Sequence, residues 1–188
     1  MNLESYFYNC SKEYLLWLNP TLLDEIQTIV SQLPKRTTQT EINNDLFWLL
    51  TSVGWSYDTR SGVSEDCPSG FRLESSLHPN QRDLCLTSTT LGASWHSDFA
   101  KLLPAGLVQI EAQFGKVEAM FKDFCGFRIA RFERRLALGI EIVLSNPYSY
   151  FSHRRNAIGG MAYFEVARKT LPAIGLDCPI WLIGLKVE

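Results

Sequence analysis

The stretch Leu107-Val108-Gln109-Ile110-Glu111-Ala112-Gln113-Phe114 decides how this chain reads. Apolar and polar residues alternate with the period of a β-strand. Val108, Ile110, Ala112 and Phe114 therefore face a core, and Glu111 and Gln113 project together from the other face. A carboxylate and an amide oxygen two residues apart suit a hard divalent cation such as Mg²⁺, which takes oxygen ligands. A second carboxylate, Asp98, stands thirteen residues upstream in Ser97-Asp98-Phe99-Ala100-Lys101. Alone, this spacing is also that of an ordinary strand with polar residues outward, so the surroundings carry the argument.

Working outward, residues 117–135 read as a long helix, 136–144 (LALGIEIVL) as a buried strand, 160–171 as a helix and 179–185 (PIWLIGL) as a second buried strand. Upstream, 21–33 and 40–53 carry apolar residues at helical spacing, ended by Pro34 and Gly54. Residues 56–80 are rich in Ser, Gly and Pro and read as loop, with a short strand near Phe71–Leu73; 83–89 reads as a strand. Strands alternating with helices predict an α/β (α+β) chain with a mixed central sheet flanked by helices. The expected organisation is one domain over 1–188, with a helical N-terminal lobe at 1–56 and the core at 80–188.

Composition bounds the function. The 188 residues are 46% hydrophobic and 20% charged, enough to bury a real core, and the formal net charge is −2. No global basic field announces a nucleic-acid partner, but the charge is uneven. From Gln113 to Arg155 there are eight bases (Lys116, Lys122, Arg128, Arg131, Arg134, Arg135, Arg154, Arg155) against four acids. From Met1 to Thr59 there are three bases against seven acids. A local surplus is what a docking face for phosphates needs, and it is also what a solvated helix face looks like. No run reaches the roughly 20 apolar residues of a membrane span. The N-terminus lacks the pattern of a signal peptide. Five scattered cysteines without a C-x-x-C pair argue against a disulfide scaffold or a zinc ribbon, and for a reducing cytoplasm. Three histidines without H-x-x-x-H, and the lack of G-x-S-x-G or a Gly-rich phosphate loop, leave zinc hydrolases, serine hydrolases and nucleotide binding without support.

Trp95-His96-Ser97-Asp98-Phe99-Ala100-Lys101 followed by Glu111-Ala112-Gln113-Phe114-Gly115-Lys116 resembles the active-site block of the BglII/BstYI-like type II restriction endonucleases, a branch of the PD-(D/E)xK nucleases. The likeness continues in Leu138-Gly139-Ile140-Glu141-Ile142-Val143, in Met161–Glu165, in Pro179–Gly184 and in Asn43–Trp55. The interval between Asp98 and Glu111 is longer than the family pattern, and Asn156–Gly160 replaces a Ser-Ser-Gly-like stretch.

The resemblance implies a restriction-endonuclease-like core in which Asp98 and Glu111 bind Mg²⁺. Gln113 takes the position usual for lysine and helps to place the attacking water. It further implies a homodimer that cuts a short palindrome in double-stranded DNA, with a GATC-centred site. Lys116 is a candidate phosphate contact, or a solvated lysine after a turn glycine. Ser152, His153, Arg154, Arg155 and Asn156, with Tyr148 upstream, form a candidate DNA-contacting loop or an ordinary exposed one. Arg128, Arg131, Arg134 and Arg135 either line DNA or face solvent. Glu141 reads as a structural carboxylate, or one that supports the metal ligands from behind, and not as a ligand itself; a buried carboxylate there needs a fixed partner such as an arginine. The extra residues around Pro104 and Gly106 are expected to lengthen a turn between adjacent strands, leaving Asp98 opposite Glu111. The competing reading is a degenerate nuclease fold that binds DNA or a protein without cutting.

Overall fold

The structure is a computed structural model that describes residues 2–57, 97–133, 136–151 and 158–186. Among the described residues, six strands form one sheet: β1 (Asn2–Tyr8), β2 (Ser56–Tyr57), β3 (Phe99–Leu103), β4 (Gly106–Ala112), β5 (Leu136–Leu144) and β6 (Ile180–Lys186). The helices are α1 (Lys12–Leu18), α2 (Leu22–Gln32), α3 (Gln39–Ser52), α4 (Val117–Phe132), the short α5 (Pro147–Tyr150) and α6 (Phe164–Ala173). The spatial order of strands is β1-β6-β5-β4-β3-β2. The centre, β4-β5-β6, is parallel, and both flanks pair antiparallel, so the sheet is mixed as the sequence predicts. Among the described residues, no helix is long and apolar enough to cross a membrane.

Parallel strands need helical crossovers, and α4 and α6 supply these on one face of the sheet, while the helices between β1 and β2 cover the other. On one side α1–α3 press Leu15, Leu22, Ile26, Ile42 and Leu46 against Val108, Ile110, Leu138, Ile140, Ile142 and Ile183. On the other, α4 and α6 bring Met120, Phe124, Phe127, Ala167 and Leu171 onto Val143, Ile180 and Leu182. Every residue of β5 is buried as a result. Thr38 and Glu41 close a capping box at the start of α3, which explains why that helix begins where it does.

Four features depart from the sequence reading. Residues 2–8, placed in a helical lobe, form an edge strand running against the C-terminal β6 from Asn2↔Lys186 to Tyr8↔Ile180. The pairing is fixed by contacts distant in sequence: Phe7 stacks on Trp181, and the Trp181 indole donates to Ser5 Oγ at 3.0 Å. The turn after β3 is short, with Leu103 opposite Gly106, so the extra residues lengthen the paired strands and not the turn. Gly106 is required there: its φ is +143°, and a Cβ would sit 2.7 Å from the Ala137 Cβ. Helix α6 begins at Phe164, later than predicted, because Gly115–Val117 pairs with the chain just before it. Val117 donates to the Gly160 carbonyl and Ala162 to that of Gly115. The loop expected over 56–80 gives way at its start to β2, since Ser56 and Tyr57 pair with Ala100 and Phe99 of β3; its remainder, with the short strand near Phe71–Leu73, and the strand over 83–89 lie outside the described residues.

Candidate active site

The alternation in β4 places side chains as predicted: Val108 and Ile110 enter the layer of α1–α3, so Glu111 and Gln113 belong to the face toward α4. The antiparallel register of β3 and β4, with Phe99 opposite Ile110, carries Asp98 to the level of Glu111. The two are tied reciprocally. The Asp98 N–H donates to Glu111 Oε2 at 3.3 Å, and the Ala112 N–H donates to Asp98 Oδ2 at 2.9 Å. Both carboxylates are therefore held at the end of β4, next to Gln113.

Two further carboxylates join them. Glu141 is the register partner of Glu111 on the neighbouring parallel strand, so the two side chains stand on the same face. Asp123, in the second turn of α4, accepts from Gln113 Nε2 at 2.9 Å. Glu111 is held well above the ordinary carboxylate range by burial and by the charges of Asp98, Asp123 and Glu141. Glu141 is held well above it by burial and by Asp123 and Asp98. Burial pushes Asp123 up to about 6, against the opposing pull of the Gln113 hydrogen bond and Lys122. The shared cause is concentrated negative charge in a place poor in water.

Glu141 corrects an expectation. It is 0% exposed, and among the described residues neither carboxylate oxygen has a hydrogen-bond partner, so none of the described arginines fills the role expected of a fixed partner. The sequence reading misses Asp123, and it weighs Glu141 without placing it beside Glu111. Asp123 could have been found as an acid interrupting the inward stripe Met120-Phe124-Phe127. Glu141 needed the β4–β5 register, which is a tertiary fact.

The remaining candidates separate. Lys116 is exposed at the N-cap position of α4, where its backbone bridges to Met161. Tyr148 is exposed, whereas Tyr150 and Phe151 are buried and serve packing. Arg128 pairs with Asp177, and Arg131 donates to the Leu136 carbonyl at 3.0 Å. Leu136 opens β5, whereas the acidic cluster sits toward the other end of that strand, roughly 16 Å away at 3.3 Å per residue. These two arginines do not belong to the cluster. Lys101 donates to both Glu25 oxygens at 2.9 Å and lies over the Trp55 ring, on the side of α2. His96, Arg134, Arg135 and the segment Ser152, His153, Arg154, Arg155 and Asn156 lie outside the described residues.

The donor set fits a hard divalent cation. The carboxylates of Asp98 and Glu111 are each held by a backbone N–H at the end of β4, and Glu141, its oxygens unpartnered among the described residues, stands beside Glu111 in the sheet register. Among the described residues, no three His, Cys, Asp or Glu side chains are grouped closely enough to hold a metal ion by themselves.

Comparison with known proteins agrees with this arrangement. A sequence family described as "Restriction endonuclease BglII/BglIII" matches residues 3–185. A crystal structure of restriction endonuclease BglII complexed with a DNA 16-mer shares the fold with a TM-score of 0.67 and 16% identity. It covers 100% of this chain and 78% of that one. No curated protein matches the chain. With its family matched over nearly its whole length and its carboxylates gathered at the end of β4, the chain belongs to the BglII/BglIII restriction endonuclease family.

Proposed function

We propose that this protein is a Mg²⁺-dependent, site-specific DNA endonuclease, acting as a homodimer on a short palindromic site. The observation that carries the reading is the reciprocal Asp98–Glu111 pair beside Gln113. Restriction endonuclease BglII, which shares the fold, is known in complex with a DNA 16-mer, which supports DNA as the substrate. A GATC-centred sequence is the first to test. Two-fold symmetry in the protein would match two-fold symmetry in the site, each subunit cutting one strand. We read residues 1–188 as a single nuclease domain, supported by the pairing of β1 with β6, and as cytoplasmic.

Hydrolysis of a phosphodiester needs a water in line with the leaving oxygen, and relief of charge on the phosphate. Asp98 and Glu111 would hold the cation, because their oxygens are already fixed by backbone N–H groups. When bound, Mg²⁺ supplies positive charge at the scissile phosphate and lowers the pKa of water. Gln113 orients that water through its amide. Lys116, exposed at the head of α4, offers its ammonium to a neighbouring phosphate. Ser152, His153, Arg154, Arg155 and Asn156 are proposed to contact the DNA.

Digestion of methylation-free plasmid with Mg²⁺, followed by sequencing of the ends, tests the reading directly. Defined ends at one repeated sequence are expected. Glu111→Ala should lose cleavage by at least about 10³-fold while still binding DNA, because it removes a group that acts in the transition state. A Glu111→Ala protein that cuts within about tenfold of wild type would remove Glu111 from the centre. A wild type that binds DNA and never cuts it would favour a degenerate, binding-only fold.

A further inference from the structure

Gln113 is gripped at both ends of its side-chain amide. Its Nε2 donates to Asp123 Oδ2 at 2.9 Å, and its Oε1 accepts the Gly115 N–H at 2.8 Å. Its own backbone N–H is anchored on the Ile142 carbonyl at 2.8 Å, which ties the residue to β5. An amide has two ends of nearly equal shape, one donating and one accepting. Turned over, this one would set its oxygen against the Asp123 carboxylate and its NH₂ against the Gly115 N–H. Both contacts would be repulsive, so one orientation is selected.

Asp123 costs the fold something to keep. It is 9% exposed and sits on the same inward face of α4 as Met120, Phe124 and Phe127, where an apolar residue would be the ordinary choice. Its hydrogen bond goes to a neutral amide. Gly115 is shaped for the same purpose: a Cβ there would meet the Gln113 Oε1 at 2.8 Å. Asp123 on a helix and Gly115 in the turn before it thus converge on a single side chain. After both bonds are made, one Nε2 hydrogen and one Oε1 lone pair remain for other partners.

We propose that Asp123 is the positioning residue of the centre: together with Gly115 it locks the Gln113 amide so that a fixed donor and a fixed acceptor meet the attacking water and the phosphate. The proposal rests on the nuclease reading above, and deepens it. Asp123 acts through Gln113 and need touch neither substrate nor cation.

The test uses the full chain and two readouts. The first is the Gln113 side-chain amide in ¹⁵N–¹H spectra without DNA or cation, assigned by its loss in Gln113→Ala. Asp123→Ala and Gly115→Ala are both expected to move the two Nε2 proton resonances toward those of an exposed glutamine. The second is the single-turnover cleavage rate at saturating DNA. Asp123→Ala should lower it about 10- to 100-fold with DNA affinity unchanged. Asp123→Asn retains an oxygen that accepts from Nε2, and should restore most of the rate. In a Gln113→Ala background, Asp123→Ala should add no more than about threefold, because the two residues act as one unit. Unmoved Gln113 resonances, or losses that multiply independently, would overturn the lock. If Asp123→Ala fails to fold, Gly115→Ala displaces the amide from the other side, where its Cβ meets just the end of the Gln113 side chain. A wild type that cuts no DNA would overturn the nuclease reading and the kinetic role with it, while the resonances still decide whether the lock exists.

Discussion

Glu141 shows how much a single residue depends on its surroundings. A carboxylate in the middle of a doubly covered strand, with neither oxygen hydrogen-bonded among the described residues, is disfavoured in its charged form. Its folded-state pKa is raised, so the native state holds the proton more tightly than the unfolded chain does. Stability then falls as pH climbs from the ordinary carboxylate range toward the folded value. Asp123 adds the same sign between its usual range and about 6. In chelator, the melting temperature of the wild type should decline as pH climbs above the ordinary carboxylate range. Glu141→Gln, of the same shape but uncharged, should flatten that decline and raise the melting temperature at the alkaline end by a few degrees. This reverses the effect expected of a carboxylate paired with arginine. A thermal-denaturation series against pH checks it, and a lowered melting temperature for Glu141→Gln at every pH would show that the charge is compensated after all.

Among the elements, β5 and β3 carry the clearest consequences. Gly139 is the point where α4 approaches β5, since a Cβ there would lie 3.0 Å from the Phe127 ring and 2.7 Å from Ile180 Cδ1. Gly139→Val should therefore push α4 off the sheet and destabilise the fold by about 1–3 kcal/mol, measured by denaturant unfolding. Because α4 carries Asp123, the same variant should disturb the Gln113 resonances. Strand β3 is tied to the helical layer by Lys101, which donates to Glu25 and to the Val53 carbonyl at 3.0 Å, while the Trp55 indole donates to the same Glu25 at 2.7 Å. Lys101→Met should cost about 1–3 kcal/mol of stability and leave the cleavage rate of the folded enzyme unchanged. A variant of normal stability that fails to cut would place Lys101 in the chemistry instead.

At the scale of the whole molecule, the net charge of −2 conceals an asymmetry between an acidic N-terminal third and a basic stretch over 113–155. Two of those basic residues have partners of their own, Arg128 in Asp177 and Arg131 in the Leu136 carbonyl. On the proposed reading, attraction to DNA is expected to fall mainly to the other cations of that stretch. Specific binding should weaken with salt by about −0.9 on a log–log plot for each phosphate contacted. Titrations at several salt concentrations check this, and a flat dependence would show that the basic stretch does not face the duplex.

The sequence by itself determined the parts whose physics is local. The alternation from Leu107 to Phe114 put Glu111 and Gln113 on one face, and the continuous apolar run at 136–144 announced a strand buried on both sides. The Glu-x-Gln-Phe-Gly-Lys block then pointed to Asp98 as the companion of Glu111, and the β3–β4 register sets the two level. What waited for tertiary structure involves partners distant in the chain. Residues 2–8 become a strand because β6, at the far end of the sequence, offers an open edge. Glu141 joins the acidic cluster because the register of two parallel strands sets it beside Glu111. Asp123 joins because the crossover helix folds back over β4 and brings its carboxylate to the Gln113 amide. Side-chain period reports which face a residue takes, and only the packing of one element on another decides what it meets there.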